Sequence, residues 1–288
     1  MRQRILFILL AGVFFLAAEP ILLAQFGPRN FEQENRRLRE ERDSLRVLLE
    51  EYQDAYSSPW DDLLDVDWEG EYEDLFGSSA VLRESDGAHS SFMKLIRKAA
   101  PSVASRWDKS IEDQVSVYIG PRKRYLPAIL GRYEYYLPFF SKVFAKYGVP
   151  EELISLCIVE SAVTSKAVSH AGAAGMWQLM PATARMYGLQ VDEEVDERFD
   201  VVKSTDAAAR LLRDLHKGLG RWDLAVLSYN CGSGRVRQAI LKANGDPDVW
   251  KIAEYLPKET RRYLPSFLAA RYVLSEREAL GIDIKRIK

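Results

Sequence analysis

Residues 148–161 read Gly148-Val-Pro-Glu-Glu-Leu-Ile-Ser-Leu-Cys-Ile-Val-Glu160-Ser161, followed by Ala162-Val163. Pro150 suits the first turn of a helix, where its missing N–H forfeits no bond. Glu151 and Glu152 complement the positive end of that helix. From Leu153 to Val163 the residues are apolar almost all round, which predicts a buried helix rather than an amphipathic surface one. Glu160 interrupts the run, with Leu153, Leu156 and Cys157 on its own face. A buried glutamate needs a partner or a task. Burial raises its pKa, and a carboxylic acid still protonated near neutral pH can hand its proton to a leaving oxygen. On this helix alone, a structural ion pair with an Arg or Lys is the competing explanation.

The next stretch, residues 169–181, reads Ser169-His-Ala-Gly-Ala-Ala-Gly-Met-Trp-Gln-Leu-Met-Pro181. Glycines among alanines let backbone approach closely. Ser169, Gln178 and backbone amides offer hydrogen bonds to a sugar, and Trp177 and Met180 offer apolar wall, the make-up of a carbohydrate cleft. A helix–loop–helix joint with core Met and Trp is the alternative. Pro181 then opens a helix that Gly188 closes.

Outward from this centre the pattern is helical from about residue 92 to the end. Turn signals fall at Gly120-Pro121, Gly148, Gly172, Gly175, Gly188, Gly218, Gly220 and Gly245, and no alternating run is long enough for a sheet. The expected class is all-α: a compact multi-helix domain. Residues 57–91 hold ten acidic residues and one basic residue, Arg83, and read as an acidic linker. Residues 31–56 carry Phe31, Leu38, Leu45, Leu49 and Tyr52 as an approximate heptad stripe, a short charged helix with coiled-coil character. At the N-terminus, Arg2 and Arg4 precede the apolar run Ile5 to Ala18, shorter than the ~20 residues of a spanning helix. This fits a secretory signal ending near Ala24, or an uncleaved anchor continuing through Ile21-Leu22-Leu23. Both send the remainder across the inner membrane. The expected organisation is therefore 1–24 signal or anchor, 25–56 charged helix, 57–92 acidic linker, 93–138 helical extension and 139–288 catalytic domain.

The chain has 288 residues, 47% of them hydrophobic, and a net charge of −2. That charge hides an asymmetry: residues 1–92 carry 9 basic and 19 acidic residues, leaving 31 basic and 23 acidic for the rest. Cys157, Cys231 and three histidines show no zinc spacing, and no glycine-rich phosphate loop is present. No metal and no cofactor are expected. Nucleic-acid binding has only the basic balance in its favour.

The pieces resemble one family. Glu160-Ser161, Gly172-Ala-Ala-Gly-Met-Trp-Gln-Leu-Met-Pro181, Ser228-Tyr229-Asn230-Cys231-Gly232 and Glu259-Thr-Arg-Arg-Tyr263-Leu-Pro265 recur in this order in lytic murein transglycosylases, most closely the membrane-bound type D branch. The resemblance implies a lysozyme-like domain with Glu160 as catalytic acid/base. It places Ser161, Ser169, Gln178, Met180, Tyr229, Asn230 and Tyr263 at the substrate, with Tyr229 beside the acid and Tyr263 lining the cleft. A hydroxyl on Tyr229 would be able to hold the Glu160 carboxyl. Glu259 and Arg261 read as a structural pair, and the acidic cluster Asp192 to Asp200 as a solvated loop. Cys231 stands where the family usually has alanine, and Cys157 lies one turn before Glu160, so a Cys157–Cys231 disulfide is a candidate after export.

The implied reaction cleaves the bond between N-acetylmuramic acid and N-acetylglucosamine without water, giving 1,6-anhydromuramoyl ends. One carboxyl suffices because the substrate supplies the nucleophile, whereas ordinary glycosidases use two. Expected partners are peptidoglycan glycan strands and, through residues 25–92, a cell-envelope protein. The membrane is involved only if the N-terminal segment is uncleaved, and the expected location is the periplasm of a Gram-negative-type bacterium. Two other readings stand: a lysozyme-type hydrolase of the same fold, and a non-catalytic wall-binding scaffold.

Overall fold

The computed structural model describes residues 86–103 and 106–285, all within one compact unit, Gln53–Lys288. The signal or anchor, the charged helix and the acidic linker up to residue 85 lie outside the described residues.

The elements in chain order are α1 (Asp86–Ala99), α2 (Lys109–Ile119), α3 (Leu126–Lys146), a 3₁₀ turn (Glu151–Ser155), α4 (Leu156–Ser161), α5 (Pro181–Met186), α6 (Val201–Leu219), α7 (Trp222–Cys231), α8 (Ser233–Lys242), α9 (Val249–Ile252) and α10 (Lys258–Ser275). Among the described residues there is no strand, only isolated bridges such as Val168 with Ala174 and Ala174 with Leu179. The all-α expectation holds. Helices cross two of the expected boundaries. Helix α1 begins at Asp86, inside the stretch read as linker, because Met93 and Ile96 bury and Phe92 packs on Tyr272 at 5.1 Å. Helix α3 runs unbroken through 138 and 139.

Local chemistry sets the helix ends. Asp108, Asp200 and Asp248 each accept backbone N–H bonds at the starts of α2, α6 and α9, satisfying donors the helix cannot. Gly220 closes α6 in the left-handed conformation. Helix α10 is buried almost all round, from Thr260 to Leu274, and packs against α1, α2, α4 and α7. It is the central rod of the domain. Arg271 on it ties α1 to the 3₁₀ turn through the Ala99 carbonyl, 2.7 Å, and Ser155 Oγ, 3.1 Å.

A second core lies under α3, where Phe139, Phe140 and Phe144 bury with Trp177. The Trp177 ring centroid is 5.3 Å from those of Phe140 and Phe144. Trp177 is fully buried and donates from Nε1 to Thr205 Oγ1 at 2.8 Å. The sequence reading of Trp177 as cleft wall is thus corrected: its indole fills the core. Thr205→Val keeps the shape but leaves that N–H unpaired, and is expected to destabilise the fold by about 1–3 kcal/mol in urea titrations.

Candidate functional site

The helix that carries Glu160 is shorter than the apolar run suggested. After Pro150 the chain makes a 3₁₀ turn, then α4 from Leu156 to Ser161. Ala162 and Val163 both take positive φ, 52° and 61°, and reverse the chain. A β-branched residue there is strained. Arg132, reaching over from α3, binds this turn. Its Nη2 donates to the Ala162 carbonyl at 2.9 Å and its Nε to the Val163 carbonyl at 3.2 Å. Ser161 adds a second tie, donating to the Met176 carbonyl at 2.8 Å and accepting from the Thr164 N–H at 3.1 Å. Ser161 was expected at the substrate. Ser161 does line the cavity that holds Glu160, and its hydroxyl joins the end of α4 to the glycine-rich loop.

Glu160 is half-buried in the wall of a cavity of about 1510 Å³. The Tyr263 hydroxyl donates to its Oε1. Burial pushes the carboxyl pKa up from 4.5 to about 7, against the opposing effect of the Tyr263 hydrogen bond. Among the described residues no Lys or Arg pairs with it, so the ion-pair alternative does not describe Glu160. The result is an acid poised near neutrality, oriented by a phenol from the central helix α10.

The two tyrosines exchange their expected parts. Tyr229 does not hold the carboxyl; its hydroxyl donates to the Trp177 carbonyl at 2.7 Å while the residue lines the cavity. Burial and the nearby Glu160 push its phenol pKa well up. Tyr263 is buried, does not line the cavity, and reaches Glu160 from the domain interior. The reason is geometric: Tyr229 sits on α7 over the glycine-rich loop, whereas α10 packs directly on α4.

The other expected residues gather at the same cavity. Ser169, Gln178, Met180 and Asn230 all line it. The Ser169 N–H donates to the Ala173 carbonyl at 2.9 Å, and Ser169 Oγ accepts the Ala173 N–H at 3.0 Å. Gln178, at positive φ 46°, donates from Nε2 to the Ala167 and Gly175 carbonyls at 3.1 and 2.8 Å. Met180 is 44% exposed and offers an apolar surface. Asn230 Oδ1 accepts from Thr260 Oγ1 at 2.8 Å, joining α7 to α10.

Three expectations are corrected. Cys157 and Cys231 are both free thiols. Cys157 is fully buried beneath Glu160, where burial pushes its pKa up, while Cys231 turns toward the Gly232 carbonyl at the end of α7. Arg261 does not pair with Glu259. It caps the Leu256 and Glu254 carbonyls at 3.0 and 2.8 Å, while exposed Glu259 lines the cavity. The acidic cluster is structured rather than merely solvated: Asp196 binds buried Arg198, Glu197 binds Lys203, Asp192 bridges its own loop and Asp200 caps α6.

Arg198 went unnoticed in the sequence. It donates to the Gly172 carbonyl at 2.6 Å and the Leu179 carbonyl at 3.0 Å, clamping both ends of the glycine-rich loop. Arg132 was missed as well. No local motif marks either residue, because each serves carbonyls at least 19 positions away. Tyr118, Arg122, Tyr125 and Ile129, from the α2–α3 region, also line the cavity. Among the described residues no cluster of three or more His, Cys, Asp or Glu could hold a metal ion.

Two measurements follow from this geometry. Below about pH 4.5 the Glu160 carboxyl is neutral whether folded or unfolded. Between there and about 7 the folded chain keeps a proton that the unfolded chain releases, so its contribution to stability falls as pH rises, then levels off. Glu160→Gln is therefore expected to match the wild type near pH 4 and exceed it at pH 8 by on the order of 2–3 kcal/mol in urea unfolding. Separately, a Cβ on Gly175, which has φ +78°, would stand 1.9 Å from the Arg198 carbonyl oxygen. Gly175→Ala should cost at least about 1–3 kcal/mol by the same assay.

Residues 139–251 match the Transglycosylase SLT domain model. The chain is 40% identical over 178 residues to membrane-bound lytic murein transglycosylase D of Escherichia coli K12, covering 60% of this chain and 39% of that protein. It is 30% identical over 161 residues to membrane-bound lytic murein transglycosylase C of Histophilus somni, covering 50% of this chain and 44% of that one. The chain thus spans about two fifths of the length of these curated relatives. Among solved structures, it is similar to the 70-kDa soluble lytic transglycosylase of Escherichia coli, with 18% identity and a TM-score of 0.42, over 70% of this chain and 38% of that one. The stretch 139–251, which matches the transglycosylase SLT domain, is thus the stretch that carries Glu160 in the cavity wall.

Proposed function

We propose that the chain is a peptidoglycan lytic transglycosylase. The observation that carries this is Glu160: a carboxyl with a pKa near 7, oriented by Tyr263, in the wall of a large cavity lined mostly by the segment that matches the transglycosylase SLT domain. Near neutral pH such a group is an acid and a base in turn.

In this reading a murein glycan strand lies in the cavity with the bond between N-acetylmuramic acid and N-acetylglucosamine at Glu160. Glu160 protonates the bridging oxygen, and the C–O bond to the muramoyl anomeric carbon breaks. The muramoyl acetamido oxygen assists at that carbon. Glu160, now a carboxylate, takes the proton from the muramoyl C6 hydroxyl, whose oxygen closes the 1,6-anhydro ring. The proton count balances and no water is consumed. Tyr263, donating to Oε1, steadies the carboxylate form between the two proton transfers. Ser169, Gln178, Met180, Tyr229 and Asn230 contact the strand.

Residues 93–138 belong with the catalytic domain in this scheme, since Tyr118, Arg122, Tyr125 and Ile129 line the cavity together with residues of 139–251. Residues 1–24 act as a signal or anchor, 25–56 as a charged helix and 57–85 as an acidic linker available to an envelope partner. The site of action is the periplasm. Among the described residues no helix is long and apolar enough to cross a membrane.

Two further carboxylates, Asp214 and Glu259, line the same cavity and favour a second reading, a hydrolase that activates water. Asp214 is held by Arg213 and Tyr187, which suits a structural role better than a catalytic base. Digestion of purified sacculi with mass measurement of the products separates the two: a transglycosylase gives anhydro ends, and a hydrolase gives products heavier by one water. Glu160→Gln is expected to fold and to lose roughly 10²-fold or more of the lytic rate. Undiminished lysis by that variant would remove Glu160 from the mechanism.

A further inference from the structure

Glu160 is the penultimate residue of a helix of only six residues, Leu156–Ser161. A helix so short does not hold itself together, so its geometry depends on what is bound to it. Its last turn is closed by two backbone bonds. The Ala162 N–H donates to the Ile158 carbonyl at 3.1 Å, and the Val163 N–H donates to the Cys157 carbonyl at 3.0 Å. Both bonds span Glu160, and both are made with Ala162 and Val163 at positive φ. Neither residue is glycine, and Val163 is β-branched. The closure is therefore disfavoured by its own sequence and persists only where the surroundings impose it.

Arg132 is the group that imposes it. The Ala162 and Val163 carbonyls lie past the end of α4 and have no donor within the helix. One guanidinium serves both, at 2.9 and 3.2 Å. A planar fork of donors suits two neighbouring carbonyls, whereas an ammonium is a single point. Among the described residues the half-buried Arg132 pairs with no carboxylate, so its hydrogen bonds go to this turn. Burial and Tyr263 are what act on the Glu160 carboxyl, so Arg132 reaches the acid through the backbone rather than by its charge.

The arm has a firm base. Helix α3 packs on the 3₁₀ turn that leads into α4. Gly131, next to Arg132, lies against the segment that follows α10: a Cβ there would stand 2.0 Å from the Lys285 carbonyl oxygen. The Lys285 N–H donates to the Pro127 carbonyl at 3.1 Å, one turn earlier on α3.

We propose that Arg132 is a positioning residue for the acid: its fork holds the left-handed turn that closes α4 and thereby aims the Glu160 carboxyl at the bond to be cleaved. This deepens the lytic reading of the site and rests on it. Were the turn to relax to negative φ, the two bonds that span Glu160 would break, and the carboxyl would lose its direction even with Tyr263 in place.

The test separates aim from stability. Arg132→Met removes the fork and keeps much of the bulk, while Arg132→Lys keeps the charge without the fork. Rates are measured on soluble murein glycan strands with the full-length chain, well below the melting temperature of each variant. For Arg132→Met, kcat is expected to fall about 10- to 100-fold, since a small misplacement of a reacting group has that effect. KM should move by less than about threefold, the mark of an interaction that matters at the transition state. Arg132→Lys should lie between this variant and the parent. Adding Ala162→Gly to Arg132→Met puts glycine where positive φ is needed and should restore kcat by about twofold or more. Parent-like kcat in Arg132→Met overturns the inference even if the melting temperature falls, because the residue then serves stability alone. A raised KM at unchanged kcat overturns it too, because Arg132 then serves binding. If Arg132→Met does not fold, Arg132→Lys with and without Ala162→Gly decides by the same comparison. A parent that leaves murein uncleaved removes the lytic reading and this inference together.

Discussion

The site depends on one contact between elements far apart in the chain: the Tyr263 hydroxyl on Glu160. Burial alone would leave the carboxyl neutral but free to rotate. The hydrogen bond alone would pull its pKa down and make it a poor proton donor at neutral pH. Together they give a carboxyl near 7 that points one way. The contact exists because α10, buried on nearly every face, is wedged among α1, α2, α4 and α7. A rod fixed on four sides can hold a phenol where an exposed helix cannot.

The polar groups around this contact act mainly on backbone. Arg132 holds the carbonyls of the strained turn after Glu160, Ser161 ties that turn to the glycine-rich loop, and Arg198 clamps the loop at Gly172 and Leu179. The loop has little regular structure to satisfy its own carbonyls, so long cationic side chains supply the donors. Close approach is the condition for this, and Gly175 meets it by having no Cβ to strike the Arg198 backbone. The backbone around Glu160 is thereby tied down by bonds within the protein itself.

The cavity is wider than the segment that matches the transglycosylase SLT model. Tyr118, Arg122, Tyr125 and Ile129 on one side and Glu259 on another line it from outside residues 139–251. Helices flanking the matched segment therefore help to shape the cavity.

By itself the sequence determined the helical class, the helical start after Pro150, the helix opened by Pro181, and Glu160 as the residue out of place in an apolar run. It also marked Ser169, Gln178, Met180 and Asn230, which converge on one cavity. These signals are local: proline and glycine act on their own backbone, and a lone carboxylate in an apolar stretch is visible at a glance. Only the tertiary structure decided that Tyr263 rather than Tyr229 holds the acid, that Trp177 fills the core, that the Ser161 hydroxyl ties α4 to the glycine-rich loop, and that the acidic loop is structured. It alone revealed Arg132, Arg198 and the free thiols. Each of those outcomes depends on which helix packs on which, and a side chain's partner across a hundred residues is set by that packing, not by its neighbours in the chain.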